Sequence, residues 1–202
     1  MIDCIIPAAG LSKRMPQWKP LLPLFNKTII EWSVSNAIEG GCRVILVIGN
    51  NGERLQKLFP ESTSLTLTKN LNYQDGMLSS IKTGLLNVKS DHFFISLADM
   101  PFILPDIYQQ IGTYQSNDVV FPKYQNKTGH PVLIPAKFIG KILQYQDSNS
   151  LKPLLLKLPH QLVEVQTNGI QFDIDTPDEY QKALTKAESI LKNMNLLKNM
   201  LR

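Results

Sequence analysis

Ile2-Asp3-Cys4-Ile5-Ile6-Pro7-Ala8-Ala9-Gly10-Leu11-Ser12-Lys13-Arg14 is the stretch that decides the fold. Ile2 to Ile6 is a short apolar run of the kind that forms a buried strand. Pro7 to Gly10 end it in small residues. Small side chains let backbone N–H groups approach a ligand, and successive N–H groups in such a turn make an anion-binding concavity. In open α/β sheets the loop after the first strand opens at the carboxyl edge, where ligands bind. Ala8, Ala9, Gly10, Leu11 and Ser12 are therefore candidate binding residues. Arg14 and Lys19 are candidate cations for a polyphosphate, one a fork and one a point charge. The loop is neither GxxxxGK(S/T) nor GxGxxG, so a Walker loop is excluded and a dinucleotide fold has no direct support.

Outward from this loop, short apolar runs alternate with helical patterns. Thr28 opens a helix, with Glu31 completing a capping box and Gly40-Gly41 ending it. Arg43 to Ile48 is a β-branched buried strand. Residues 52–59 read as a helix, Leu65 to Thr68 as a strand, Met77 to Leu86 as a helix, His92 to Ala98 as a strand and Pro105 to Tyr114 as a helix. Strands follow at Val119 to Phe121, Pro131 to Ile134 and Leu162 to Val165. Helices follow at Phe138 to Tyr145, Leu151 to Leu158 and Pro177 to about Leu197. The expectation is an α/β fold: a single-domain, Rossmann-like, mostly parallel sheet flanked by helices. Residues 1–188 form the domain and 189–202 a helical tail. Ala187, Ile190, Leu191, Met194, Leu197 and Leu201 make one apolar stripe on that tail. It serves docking on the body or a weak homodimer.

The chain has 202 residues, 43% hydrophobic and 19% charged, ordinary for a globular protein with one core. Its net charge of +4 is uneven. Residues 181–202 carry five of the 21 basic residues and one of the 17 acidic ones, which leaves the rest neutral. A neutral body with a basic tail is a poor footprint for nucleic acid. No apolar run approaches a membrane span, and no cleavable leader precedes the first strand. Cys4 and Cys42 lie in strand-like runs and are expected as buried free thiols of a cytoplasmic protein.

Four further segments carry chemistry. Leu97-Ala98-Asp99-Met100-Pro101 places Asp99 at a strand's end before a proline, well placed for Mg²⁺, which takes one or two carboxylates and completes its shell with water and phosphate. Capping a turn is the plainer role for it. Asp173-Ile174-Asp175-Thr176-Pro177 offers Asp175 as a second metal carboxylate, while Thr176 or Asp175 caps the helix that Pro177 opens. Asn70 to Ser80 leads from strand to helix, and Asn70, Gly76 and Ser80 suit base or ribose recognition or plain helix capping. Thr128-Gly129-His130-Pro131 puts His130 in a loop, where function concentrates. His92 and His160 have no such setting.

In this order the five segments resemble the molybdenum cofactor cytidylyltransferase family, within the wider cofactor and sugar nucleotidyltransferases. Ile6 to Lys19 is similar to L-A-A-G-x-S-x-R-M-G-x-x-K, Asn70 to Ser80 to N-P-x-(W/Y)-x-x-G-M-x-x-S, and Leu97 to Pro101 to L-x-D-x-P. Gly129-His130-Pro131 matches G-H-P, and Asp173 to Pro177 matches D-I-D-T-P. Pro16 stands in place of a usual glycine. Gln146 to Lys152 keeps Asp147 of a G-D-x-G-x-R stretch but not its glycines or arginine. The resemblance implies a nucleotide-diphospho-sugar transferase-like fold. It implies a Mg²⁺-dependent enzyme that transfers a nucleotidyl group to a phosphate-bearing acceptor, the molybdenum cofactor, and releases pyrophosphate. Arg14, Lys19 and Asp99 are the implied catalytic residues, and Asp99 and Asp175 the implied metal ligands. Ala8-Ala9-Gly10 is like the cytidylyl branch and favours CTP, and a molybdoenzyme is the implied partner. The alternatives are a guanylyl-, sugar-phosphate or methylerythritol-phosphate transferase, or a nucleotide-binding cofactor chaperone without turnover.

Overall fold

The structure is a computed structural model. It describes residues 1–10, 15, 17–49, 51–60, 62–146 and 150–200, with side chains described as far as 189 in the last helix. The strands are β1 (Ile2–Ala8), β2 (Pro23–Leu24), β3 (Lys27–Thr28), β4 (Cys42–Ile48), β5 (Leu65–Lys69), β6 (His92–Ile95), β7 (Val119–Tyr124), β8 (Lys127–Thr128), β9 (Val132–Pro135) and β10 (His160–Glu164). The helices are α1 (Ile29–Glu39), α2 (Gly52–Leu58), α3 (Met77–Leu85), α4 (Pro105–Gly112), α5 (Ile139–Gln144), α6 (Lys152–Lys157) and α7 (Pro177–Met200).

Eight strands form one sheet in the order β10-β7-β9-β6-β1-β4-β5, with β8 paired to β7. The pairs β1–β4, β1–β6, β4–β5 and β7–β10 are parallel, whereas β9 runs against both β6 and β7. The carboxyl ends of β1 and β6 therefore share an edge with the amino end of β9, where Ile95 faces Val132.

Alternation along the strands divides the core. Cys4, Ile6, Val44, Leu46 and Ile48 face α1, α2 and α4, while Ile5, Ile45 and Val47 face α3 and α5. Both faces being covered explains why β1 and β4 read as nearly continuous apolar runs. A third, smaller cluster joins Leu22, Leu24, Ile29, Phe102 and Ile174 to Ala183 and Ala187 of α7. The first turns of the tail helix are thus docked on the body. Ile190 and the later residues of its stripe lie outside the described side chains.

The capping box at Thr28 forms as expected: Glu31 N–H donates to Thr28 Oγ1, and Thr28 N–H donates to Glu31 Oε2. Cys4 and Cys42 are buried free thiols. No helix among the described residues is long and apolar enough to cross a membrane. Two expectations need correction, and three short strands are additional. The strand beginning at His92 ends at Ile95; Ser96 N–H still donates to the Ile5 carbonyl at 3.0 Å, and beyond it the chain leaves the sheet. Asp99 therefore sits in a turn beyond the strand rather than at its end. The β2–β3 hairpin and β8, each two residues long, carry no periodicity and escape the sequence reading.

At the edge opposite the loop, Asp3 is a buried carboxylate, 2% exposed. It accepts from Arg43 Nε at 2.6 Å and from the backbone N–H groups of Lys89 at 2.6 Å and Ser90 at 2.9 Å. Burial works to raise its pKa, but these three donors outweigh burial and hold it below the ordinary carboxylate value.

Candidate active site

The carboxyl edge of β1, β4 and β6 opens into a cleft of about 450 Å³. Pro7 to Gly10 form one wall, Tyr73, Gly76, Met77 and Ser80 another, and Leu97, Ala98, Asp99 and Asp175 the floor, with Lys19 reaching in. Gly49 lets two walls meet, since a Cβ there would lie 2.6 Å from Ala9 Cβ and 2.8 Å from Tyr73 Cβ. Trp18 fastens the end of the loop by donating from Nε1 to the Gly10 carbonyl at 3.3 Å.

Lys19 Nζ lies between two carboxylates, 2.6 Å from Asp99 Oδ2 and 2.7 Å from Asp175 Oδ1. Burial works to lower the lysine's pKa, but the two carboxylates outweigh it and raise it, so the ammonium stays charged at neutral pH. Asp175 is brought to Asp99 by backbone, because Ile174 N–H donates to the Asp99 carbonyl at 3.1 Å and Ile174 is fully buried. Lys186 of α7 braces the same two loops. Its ammonium lies 5.0 Å from the ring centre of Phe102 and 5.1 Å from that of Phe172, and donates to Asn168 Oδ1 at 2.6 Å.

A divalent cation fits here. Asp99 Oδ1 is buried and has no hydrogen-bond partner among the described residues, an acceptor left for something else to use. Two carboxylates with room for phosphate and water form a donor set suited to Mg²⁺ or Mn²⁺. Among the described residues no cluster of three or more His, Cys, Asp or Glu offers an all-protein cage.

The structure sorts the candidate residues. Ala8, Ala9, Gly10, Lys19, Gly76, Ser80, Asp99 and Asp175 converge on the cleft. Leu11, Ser12 and Arg14 lie outside the described residues, as do Lys13, Pro16 and Asp147. Asn70 does not reach the cleft; it is 3% exposed and its Nδ2 donates to Ser79 Oγ at 2.8 Å and Ser80 Oγ at 3.0 Å, locking the start of α3. Thr176 caps α7, since Glu179 N–H donates to its hydroxyl while the Thr176 N–H donates to Glu179 Oε2. Capping and charge are thus divided between Thr176 and Asp175. Asp173 is exposed. His130 lines a neighbouring cavity instead. His92 and His160 hydrogen-bond the carbonyls of Ser116 and Leu158. Tyr73, Met77, Leu97 and Ala98 were not singled out from sequence, although Tyr73 falls on the aromatic position of the Asn70 to Ser80 pattern.

Gly129 is where two chain segments touch: a Cβ there would run into the Ile170 carbonyl, with Ile170 C at 2.6 Å. Gly129→Ala must push the backbone apart and is expected to cost about 3 kcal/mol, read as a lower urea midpoint with an unchanged slope. A change within 0.5 kcal/mol would show that the segments part freely.

A mostly parallel sheet whose strand ends carry a small-residue loop, a lysine and two carboxylates defines an α/β protein that handles nucleotide phosphates. The family model of the MobA-like NTP transferase domain matches residues 4–162, and the chain belongs to that family of nucleotidyltransferases. It is 35% identical over 179 residues to a molybdenum cofactor cytidylyltransferase of Escherichia coli, covering 89% of this chain and 93% of the relative. It is 25% identical over 196 residues to a probable molybdenum cofactor guanylyltransferase of Clostridium perfringens, covering 91% and 96%. In fold it is similar to a Methanothermobacter nucleotidyl transferase, with a TM-score of 0.84 at 19% identity over 94% of this chain and 99% of the other. It is also similar to a Mycobacterium tuberculosis protein solved in complex with manganese, with a TM-score of 0.77 at 20% identity over 91% and 98%.

Proposed function

We propose that this enzyme transfers CMP from CTP to a phosphate-bearing acceptor of the molybdenum cofactor type and releases pyrophosphate. The observation that carries this reading is the Lys19 ammonium between Asp99 and Asp175, on the floor of a cleft walled by Ala8 to Gly10. The cytidylyl choice is supported by the loop's alanine pair and by the name of the 35% identical relative.

An oxygen of the acceptor phosphate attacks the α-phosphorus of CTP. The bond from that phosphorus to the bridging oxygen breaks, and its electron pair leaves with pyrophosphate. Catalysis of this kind is mainly positioning and charge neutralisation. The N–H groups of the Ala8–Gly10 turn face the phosphates. Lys19 exchanges its carboxylate contacts for the leaving pyrophosphate, and Arg14, Leu11 and Ser12 take the neighbouring roles their motif implies. A divalent ion, Mg²⁺ in this reading, would be held by Asp99 and Asp175 and would neutralise phosphate oxygens. A molybdoenzyme that accepts the product is the partner this activity implies, and the chain acts as a monomer or weak homodimer.

The test is a panel of CTP, GTP, UTP and ATP with Mg²⁺, read by melting temperature and by pyrophosphate release. A nucleotide at 100 times its Kd stabilises by about 2.7 kcal/mol, or roughly 5–10 °C for a chain this size. CTP is expected to give the largest shift. A GTP preference would transfer the reading to the guanylyl branch, and tight CTP binding without turnover on any acceptor would favour the chaperone.

A further inference from the structure

Asp99 and Asp175 both reach the same Lys19 nitrogen, within 2.7 Å, so a small drift of either chain segment would open the pair. Three contacts join the segments that carry them. Ile174 N–H donates to the Asp99 carbonyl at 3.1 Å. Gly169 packs against Phe102, where a Cβ would run into the Phe102 carbonyl. Phe102 and Phe172 meet edge to face, with ring centres 5.4 Å apart and planes at 82°. Phe102 is the third residue after Asp99, and Phe172 the third before Asp175. Lys186 closes this last contact from α7, beyond residues 4–162 that the family model matches. Its ammonium lies 5.0 Å and 5.1 Å from the two ring centres and donates to Asn168 Oδ1 at 2.6 Å. A cation near two aromatic rings is attracted to both, the more so where water is excluded. Burial works against the ammonium and lowers its pKa, so the rings and the amide hold a charge in a setting that does not favour it.

We infer that Lys186 is a positioning residue for divalent-cation binding: by clamping Phe102 against Phe172 it fixes the spacing of the Asp99 and Asp175 carboxylates. It acts through the two rings and not on the ion. This rests on the reading of those carboxylates as the metal ligands and adds what sets their spacing. Mg²⁺ demands near-ideal octahedral geometry with oxygens at about 2.0–2.1 Å. A site with two protein carboxylates therefore loses affinity when one of them drifts.

The test is Mn²⁺ binding to the full chain, followed by electron paramagnetic resonance with and without a non-hydrolysable CTP analogue. Asp99→Ala identifies the ion that belongs to the site, since that signal is the one it removes. Lys186→Met keeps most of the side chain's length and its packing on the rings but removes the charge. It is expected to raise the Mn²⁺ Kd about tenfold, the lower end of the range for groups that orient metal ligands from outside. Lys186→Arg, whose guanidinium stacks on rings, should raise it less than about twofold. In pyrophosphate release the Lys186→Met defect should be a higher Mg²⁺ concentration for half-maximal rate, and not a lower maximal rate. A residue needed only for stability would lower the melting temperature and leave both metal dependences where they are. Phe172→Leu should also weaken Mn²⁺ binding, and adding Lys186→Met to it should cost less than the two losses multiplied, because both act through one clamp. Equal Mn²⁺ affinity in wild type and Lys186→Met, or fully independent losses in the double variant, overturns the inference and leaves the metal site standing. A wild type without Asp99-dependent Mn²⁺ binding removes the metal reading and this inference with it, and a retained CTP melting shift would show that the nucleotide reading survives.

Discussion

Asp99→Ala is expected to lower CTP-dependent pyrophosphate release by about 10²–10³-fold, equivalent to about 3–4 kcal/mol of transition-state stabilisation. The two oxygens of this carboxylate have different surroundings. Oδ2 holds Lys19 at 2.6 Å, and the buried Oδ1 has no protein partner among the described residues. Alanine removes both, leaving Lys19 to pair with Asp175 alone. The fold has little stake in the change. Asp99 stands in a turn, and the bond that knits it to Ile174 uses its backbone carbonyl, which alanine keeps. The melting temperature without nucleotide should therefore move far less than the rate. The checks are single-turnover release and a melting curve on the same preparation. A variant that kept near-normal release would remove Asp99 from the chemistry.

Asp3→Ala should have the largest effect on stability, about 3–5 kcal/mol, and little direct effect on the chemistry at the far edge. The loss comes from the groups left behind. Among the described residues Arg43 is left with the Asn87 carbonyl at 2.9 Å, and the partly buried N–H groups of Lys89 and Ser90 lose their acceptor. The same carboxylate makes stability depend on pH. Its folded pKa lies below the unfolded value of about 3.9, so its contribution is fully present above pH 4 to 5. That contribution is lost as pH falls through the folded value. The wild-type urea midpoint should drop below about pH 4, and the Asp3→Ala midpoint should drop less. Parallel profiles for the two proteins would show that Asp3 does not carry this dependence.

Most of the sheet was legible because burial on both faces writes strands as unbroken apolar runs, as in Arg43 to Ile48. The end of β6 was not, since Leu97 and Ala98 continue the apolar run of Phe93 and Phe94 yet line the cleft instead of pairing. Hydropathy records burial and not the partner. The site was legible in its parts: loop, Lys19, Asp99 and Asp175 all follow from residue type and position. Their assembly was not, because Lys19 and Asp175 lie 156 positions apart and meet through the Asp99–Ile174 backbone contact. Asn70 shows the opposite failure. A buried amide at a ligand-like motif turns out to hold two serines of the following helix, α3. His130 sits in the expected loop, but antiparallel β9 carries it to the neighbouring cavity.

That reversed strand has a consequence for how such an enzyme can change. Between β7 and β9 the chain turns on Gln125 and Asn126, both at positive φ, at the rim of the sheet, and no helix has to cross over. A longer or shorter hairpin there would reshape the approach to His130 and leave the pairing of β1 with β4 and β6 as it is. The sheet thus has a seam. On one side β1, β4 and β6 keep a fixed register, and on the other a wall of the His130 cavity can be retailored by edits confined to a surface turn.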